Sequence, residues 1–462
     1  MNVRFILLQM ISNQLFFIFI LLCLIFIFSE LYYNQKTTLS FILLIFLIFI
    51  DFLLSNKFWH YIFFSEEIWK NLLVLIICCS FIIILSLIKR LNFEIFFLNL
   101  MVLLGSLMII TSDHLIIIYL GLELQTFSIF ILISKNKNSI KSSESALKYF
   151  ILGALSSGLF LLGLTFMFSL GLSLNIKELS LSLSFFQELK NIPSFLICIS
   201  LFFKLALFPL HFWIADIYEG STWEVISSIA IIPKISVLSI ILQILYCSDF
   251  FLICSILSII IGTFGAMNQT KIKRLLAYSG VSHIGFIMMG LSLITNQGYE
   301  ASFIYLVIYI ITMLGIFLLI YQTYLSGNYY LIELSGLSII NKLLAVSWLI
   351  FFLSISGIPP LSGFISKWLI IILLLDYKYI LLSTLIVIFS AIGAGYYLRI
   401  VKISYFQKKS SFIIWEQILT KDVNNYNLLS HLLGVFIYLS IVLIFHPSIL
   451  FSPFYLGFQY FF

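Results

Sequence analysis

Runs of about 20 apolar residues recur along the whole chain, the length a helix needs to cross a hydrocarbon layer of roughly 30 Å. Backbone in lipid has no water to bond, so each such run must satisfy its own N–H and C=O groups as a helix. Composition agrees. Of 462 residues, 62% are apolar and 10% charged, against about 25% charged in an ordinary soluble domain. A mean hydropathy of +1.17 leaves too little polar surface to wrap one soluble core. The fold class is therefore an all-α polytopic membrane protein.

Apolar runs set against polar breaks predict fourteen spans. The first three cover residues 4–28, 39–55 and 68–88, and the next two 93–111 and 114–134. Five follow at 146–172, 193–215, 223–247, 249–268 and 275–295, and the last four at 299–325, 343–375, 379–401 and 428–450. No soluble domain interrupts them, and the polar stretch 402–427 is expected to form an amphipathic surface helix. Sixteen Lys and Arg follow odd-numbered spans and six lie on the other side. That bias turns the odd loops towards the matrix or cytoplasm and both termini away from it.

Several functions are excluded by what the residues lack. The net charge of +6 is spread through loops with no basic tract to track a nucleic acid. Cys23, Cys78, Cys79, Cys198, Cys247 and Cys254 all sit in apolar stretches and form no C-x-x-C pair, which argues against zinc or an iron–sulfur cluster. No G-x-G-x-x-G or Walker loop offers a nucleotide cradle, so redox chemistry is expected on other chains. The chain enters its first apolar run within five residues, so neither a transit peptide nor a cleaved signal is expected. Its 49 Phe and scarce Ala fit AT-rich codons and predict an organelle gene.

Three lysines lie deep inside apolar runs: Lys204 in ISLFFKLALFPLHFW, Lys234 in SSIAIIPKISVL and Lys367 in SGFISKWLIIILLL. Glu123, in IIIYLGLELQTFSIF, is equally isolated. A charge at the bilayer centre costs about 2.5–3.5 kcal/mol on insertion scales, so such groups face partners or water. Burial and a nearby opposite charge push proton affinity in opposing directions, the condition for loading and releasing a proton as the partner moves. Helix glue is the plainer reading of one such lysine, but a weaker one for four groups together. Asp51 and Asp376, near span ends, read as interfacial.

Prolines mark the same places. Pro209 is five residues from Lys204, Pro233 directly precedes Lys234, and Pro359 and Pro360 stand shortly before Lys367. Each frees a helix carbonyl, which lipid tolerates only where protein or water covers it. Interrupted helices beside intramembrane charge are a feature of transport sites. The run 343–375 is too long for one straight crossing and is expected to break at SGIPP. His283 and, less strongly, His211 lie near polar interruptions and could relay protons. His114, His60, His431 and His446 read as span-end residues, and Trp213 and Trp415 as lipid-facing bulk or interface anchors.

YLGLELQTFSIF, FKLALFPLHFWIADIYEG, IIPKISVL, KIKRLLAYSGVSHIGF and SISGIPPLSGFISKWLI occur in that order, and GYYLRIVK and HPSILFSPF close the chain. Together they resemble the subunit 2 family of the antiporter-like membrane subunits of mitochondrial NADH:ubiquinone oxidoreductase (respiratory complex I). The resemblance runs from about residue 93 to the carboxyl end. It implies two inverted five-helix repeats, residues 93–247 and 248–405, with discontinuous seventh and twelfth helices. Residues 1–92 would hold three further spans, and 406–462 a surface segment and the last span. By resemblance Glu123 is the family's intramembrane glutamate and Lys204 its partner. Lys234 is the central lysine, Lys367 the lysine towards the exit, and His283 a histidine of the polar axis.

The resemblance further implies NADH, FMN, iron–sulfur clusters and ubiquinone on partner subunits, with none on this chain. Partners would be other membrane-arm subunits, including subunits 4, 4L and 6, accessory subunits and lipids, in the mitochondrial inner membrane. One segment departs from the family pattern: where relatives have Ser/Ala-Pro-Thr and small residues, this chain has Ser221-Thr222-Trp223-Glu224-Val225. Two other classes stay open. One is a multisubunit cation/proton antiporter membrane subunit, the other a structural subunit that moves no protons.

Overall fold

The helices follow the apolar runs and in places extend into the flanking polar residues, as in Ile140–Ser169 and Ile380–Phe406. The computed structural model describes residues 68–88, 93–136, 139–171, 173–176, 191–244, 248–323, 330–407 and 427–458. Every contact below lies within one compact unit, Glu67–Arg90 with Leu98–Phe462. The first half comprises α1 (Ile68–Leu87), α2 (Phe93–Thr111), α3 (Leu115–Ser134), α4 (Ile140–Ser169), α5 (Asn191–Leu205), α6 (Phe212–Gly220) and α7 (Trp223–Gln243). Then come α8 (Ser248–Met267), α9 (Ile272–Ser292), α10 (Asn296–Thr323), a short 3-10 turn (Leu331–Leu334), α11 (Leu337–Ile340) and α12 (Lys342–Ser356). The last are α13 (Ser362–Asp376), α14 (Ile380–Phe406), α15 (Asn427–Phe445) and α16 (Ser448–Phe458).

Among the described residues nine helices are long and apolar enough to cross a membrane, and α15 with α16 adds a tenth as a pair bent by 77°. The third to fourteenth expected spans all meet helices. The first two, and residues 408–426 of the expected surface helix, lie outside the described residues. The fourteenth expected span, 428–450, is interrupted at His446-Pro447, where proline cannot continue the helix. Beyond the bend, Phe458 stacks on Trp69 with ring centroids 6.3 Å apart and meets Phe303 at 5.1 Å.

The expected breaks are present. The seventh span is α5 and α6, separated by Ala206 with φ 57° and by Pro209. The twelfth is α12 and α13, separated by Gly357 with φ 78° and by Pro359-Pro360. Gly357 is the left-handed residue that ends a helix without steric cost, and its N–H closes on the Leu353 and Ser354 carbonyls. Gly363 lets α13 start directly against α12, since a Cβ there would lie 1.7 Å from the Ser354 carbonyl oxygen. Trp213 corrects the sequence reading. It is buried, and its indole N–H donates to the Phe203 carbonyl at 3.0 Å, joining the Ala206 N–H on that oxygen beside the break.

Helices α7, α9 and α10 form the centre, with 100%, 94% and 94% of their apolar windows buried, against 28% for α14 at the rim. Small residues let the central backbones approach, as packing in lipid requires. Gly262 on α8 faces the Ser282 backbone of α9, and Gly285 on α9 faces Ser258 of α8. The lipid-facing sides of α4 and α14 carry exposed Leu, Ile and Phe, which need no further partner in a membrane.

Candidate functional site

Breaking a span places its end groups at mid-depth. Lys204 occupies the last turn of α5 and Lys367 the second turn of α13, so both sit beside a break. Their expected isolation in long apolar runs is therefore a product of the interrupted helices.

Lys367 is 7% exposed, and its ammonium donates to the Ser356 carbonyl at 2.6 Å. That carbonyl ends α12, where unsatisfied oxygens and the negative end of the helix dipole favour a cation. The Phe286 ring lies 5.6 Å from the same ammonium. Lys234, on the central helix α7, is 5% exposed and donates to the Tyr309 hydroxyl at 2.9 Å. Gly280 on α9 leaves room for this pair, since an added Cβ would meet the Lys234 Nζ at 3.1 Å and the Tyr309 hydroxyl at 3.4 Å.

His283 lies one turn along α9 from Gly280. Its Nδ1 is 2.8 Å from the Tyr305 hydroxyl and its Nε2 3.0 Å from the Tyr397 hydroxyl. The charges of both Lys367 and Lys234 act on this imidazole. Lys234, from the last helix of the first half, thus joins His283 and Lys367 of the second in one buried polar row.

Lys204 and Glu123 are brought near each other but not into contact. The Lys204 ammonium is buried without a hydrogen-bond partner, the Phe203 ring lying 5.8 Å away. The charge of half-buried Glu123 on α3 acts on it, although the two form no ion pair. A buried, unpaired ammonium beside a nearby carboxylate is a group held ready for a partner to move.

The remaining expected residues divide plainly. His211 is buried between Phe208 and Phe212, with Nδ1 unpartnered. His114 caps α3, its Nδ1 accepting from the Ile116 N–H at 3.3 Å, and neighbouring Asp113 pairs with Lys70. Asp376, His431 and His446 are exposed at helix ends. Asp51, His60 and Trp415 lie outside the described residues.

An ionic cluster went unread in the sequence. On α6, Asp216 pairs with Lys148 (2.8 Å) of α4 and Arg274 (3.1 Å) of α9. Glu219 pairs with Lys141 (2.9 Å) of α4, and with Lys271 (2.5 Å) and Arg274 (3.5 Å) at the start of α9. Burial alone would raise the Glu219 carboxyl, but hydrogen bonds from Lys271 and Lys141 outweigh it and hold it at about 2. The four cations all belong to the positive-side loops, and the acids of IADIYEG are their complement.

The unusual Ser221-to-Val225 segment is built into the same end of α9. Lys273 donates to the Ser221 carbonyl at 2.6 Å and lies 5.3 Å from the Trp223 ring. Tyr305, Tyr309 and Tyr397 were also missed as polar groups. Their only signal is Tyr305 and Tyr309 four apart in an otherwise apolar run, spacing that puts both on one helix face.

Comparison with known proteins places the fold in a family. The family described as NADH:quinone oxidoreductase/Mrp antiporter, TM, matches residues 112–393. The NADH-ubiquinone oxidoreductase chain 2 of Metridium senile is 40% identical over 360 residues, 76% of this chain and 93% of the relative. The NADH-quinone oxidoreductase subunit N of Pelagibacter ubique is 35% identical over 66% of this chain and 67% of its own length. Among solved structures, a chain of respiratory complex I from Thermus thermophilus superposes with a TM-score of 0.74 and 25% identity, covering 84% of this chain and 86% of that one. A chain of the Mrp complex from Dietzia sp. shares the fold, with a TM-score of 0.74 at 18% identity over 85% and 83% of the two chains.

Proposed function

The chain belongs to the NADH:quinone oxidoreductase/Mrp antiporter membrane-subunit family, and from that premise we propose how its buried charges work. It is a proton-translocating membrane-arm subunit of NADH:ubiquinone oxidoreductase, acting with the other subunits of that complex. The proton route runs through Glu123, Lys204, Lys234, His283 and Lys367. The observation that carries this reading is the buried row in which Lys234 and Lys367 flank a doubly hydrogen-bonded His283.

Lys204 is the switching base. Its ammonium has no partner in the present arrangement, so its proton affinity rises when Glu123 closes on it and falls when Glu123 withdraws. Lys234 passes protons between halves, and Lys367 releases them towards the side that holds the termini. Redox energy comes from NADH, FMN, iron–sulfur clusters and ubiquinone on partner subunits, among which subunits 4, 4L and 6 are neighbours. The two five-helix repeats span residues 93–247 and 248–405. The membrane is the mitochondrial inner membrane, with both termini on the intermembrane-space side, and the gene is the organelle's own; the Lys/Arg bias and the AT-rich residue usage support this.

Replacing Lys204 by Ala in the assembled complex is expected to lower proton pumping and coupled quinone reduction by about a hundredfold, the scale of a lost proton-transfer group. Unchanged pumping in a fully assembled Lys204→Ala complex would rule the switching role out.

A further inference from the structure

We infer that the hydroxyls of Tyr309, Tyr305 and Tyr397 are the relay that carries a proton between Lys234 and Lys367 through His283. The inference rests on reading those lysines as proton carriers. Tyr305 and Tyr309 stand one turn apart on α10, and Tyr397 reaches in from α14. Lys234 already donates to the Tyr309 oxygen at 2.9 Å. The Tyr309 ring lies 5.5 Å from the His283 ring, and the Phe286 ring below Lys367 stacks on Tyr305 at 5.9 Å. The three hydroxyls therefore line the space between the two lysines.

A hydroxyl can accept one hydrogen bond and donate another. A proton arriving at Tyr309 from the Lys234 ammonium thus leaves as the hydroxyl's own proton, and the ring stays neutral at the end of the step. His283 completes the sequence in the same way. A neutral imidazole carries a proton on one nitrogen and accepts on the other, so one flanking tyrosine donates to His283 while the other accepts from it. A proton added at the bare nitrogen releases the one held across the ring. The imidazole ends neutral with its tautomer inverted, one proton having entered and one having left. A flip of the imidazole ring together with rotation of the hydroxyls resets the row.

Phenylalanine would fill the same volumes without the cost of burying an oxygen in an apolar core. Three such oxygens converge on one lysine and one imidazole, whereas Tyr299, equally buried on the same helix, packs against Phe458.

The test replaces each tyrosine by Phe in the assembled complex, with Lys234→Ala and Tyr299→Phe alongside. NADH-driven proton uptake into vesicles is measured, with NADH:ferricyanide reduction reporting assembly of the redox arm. Tyr309→Phe, Tyr305→Phe and Tyr397→Phe are each expected to slow pumping about tenfold or more at an unchanged ferricyanide rate, while Tyr299→Phe pumps normally. Normal pumping in all three variants, with Lys234→Ala impaired, overturns the relay and leaves the lysine reading standing. Normal pumping in Lys234→Ala as well overturns both. Should Tyr309→Phe fail to assemble, Tyr305→Phe and Tyr397→Phe decide the question by the same readout.

Discussion

A lysine in an apolar core must be paired, bonded to freed backbone oxygens, or left in a state that another group completes. The three intramembrane lysines take different answers. Lys234 bonds a tyrosine hydroxyl, Lys367 bonds a carbonyl at a helix end, and Lys204 has no partner. Gly357 makes the second answer possible, because it holds a left-handed φ of 78° and a Cβ there would lie 2.7 Å from the Lys367 Cδ. Gly357→Ala is therefore expected to lower the thermal stability of the complex by about 1–2 kcal/mol from backbone strain and to slow pumping by displacing Lys367. Normal pumping by an assembled Gly357→Ala complex would show that the position of Lys367 beside the break does not matter. The charges themselves were legible in the sequence because an isolated Lys or Glu stands out in an apolar run. The tyrosines were not, since Tyr is ordinary in membrane helices and only the fold turns their hydroxyls onto one imidazole.

At the scale of the element, the broken helices bring charge to mid-depth, and each break is held by a specific contact. Trp213 caps the Phe203 carbonyl in the first, while α13 abuts α12 through Gly363 in the second. Trp213→Phe keeps the apolar packing against Tyr149 and Phe203 but removes the indole's bond to the Phe203 carbonyl, which keeps only the Ala206 N–H at 3.0 Å, a loss of about 0.5–1.5 kcal/mol. A lowered unfolding temperature of this subunit within the complex checks it; an unchanged temperature would mean that the break is held by other contacts. Prolines announced both breaks. The role of Trp213 was hidden, because a tryptophan beside an apolar run reads equally well as an interface anchor. The bend at His446-Pro447 was missed for a related reason: the apolar pattern continues across it, and hydropathy alone does not register a change of direction.

Across the whole molecule, α6 is tied by Asp216 and Glu219 to α4 from the first half and α9 from the second. Exposed ion pairs contribute little singly, but here two acids share four cations at the end of a broken span. Glu219 is held at about 2, below an unfolded carboxyl. Its contribution to stability is thus complete above about pH 4.3 and is lost as pH falls from there towards 2. Glu219→Gln is expected to melt at a lower temperature than the native subunit at neutral pH, with the gap narrowing as pH falls from about 4.3 towards 2. A gap that stays constant across that range would mean that Glu219 acts through packing instead of charge. Span count and orientation bias were legible because they depend on length and composition, while this cluster depends on which loops meet.

The central claim is that the two halves form one proton route in series. Its most direct measurement is the number of protons moved per NADH oxidised in vesicles by complexes carrying Lys204→Ala, Lys367→Ala or both. Links in series do not add, so the two single variants are expected to lose the same protons and the double variant no more. A double variant that loses the sum of the two, or a Lys367→Ala complex that pumps normally, would contradict a single route through this subunit.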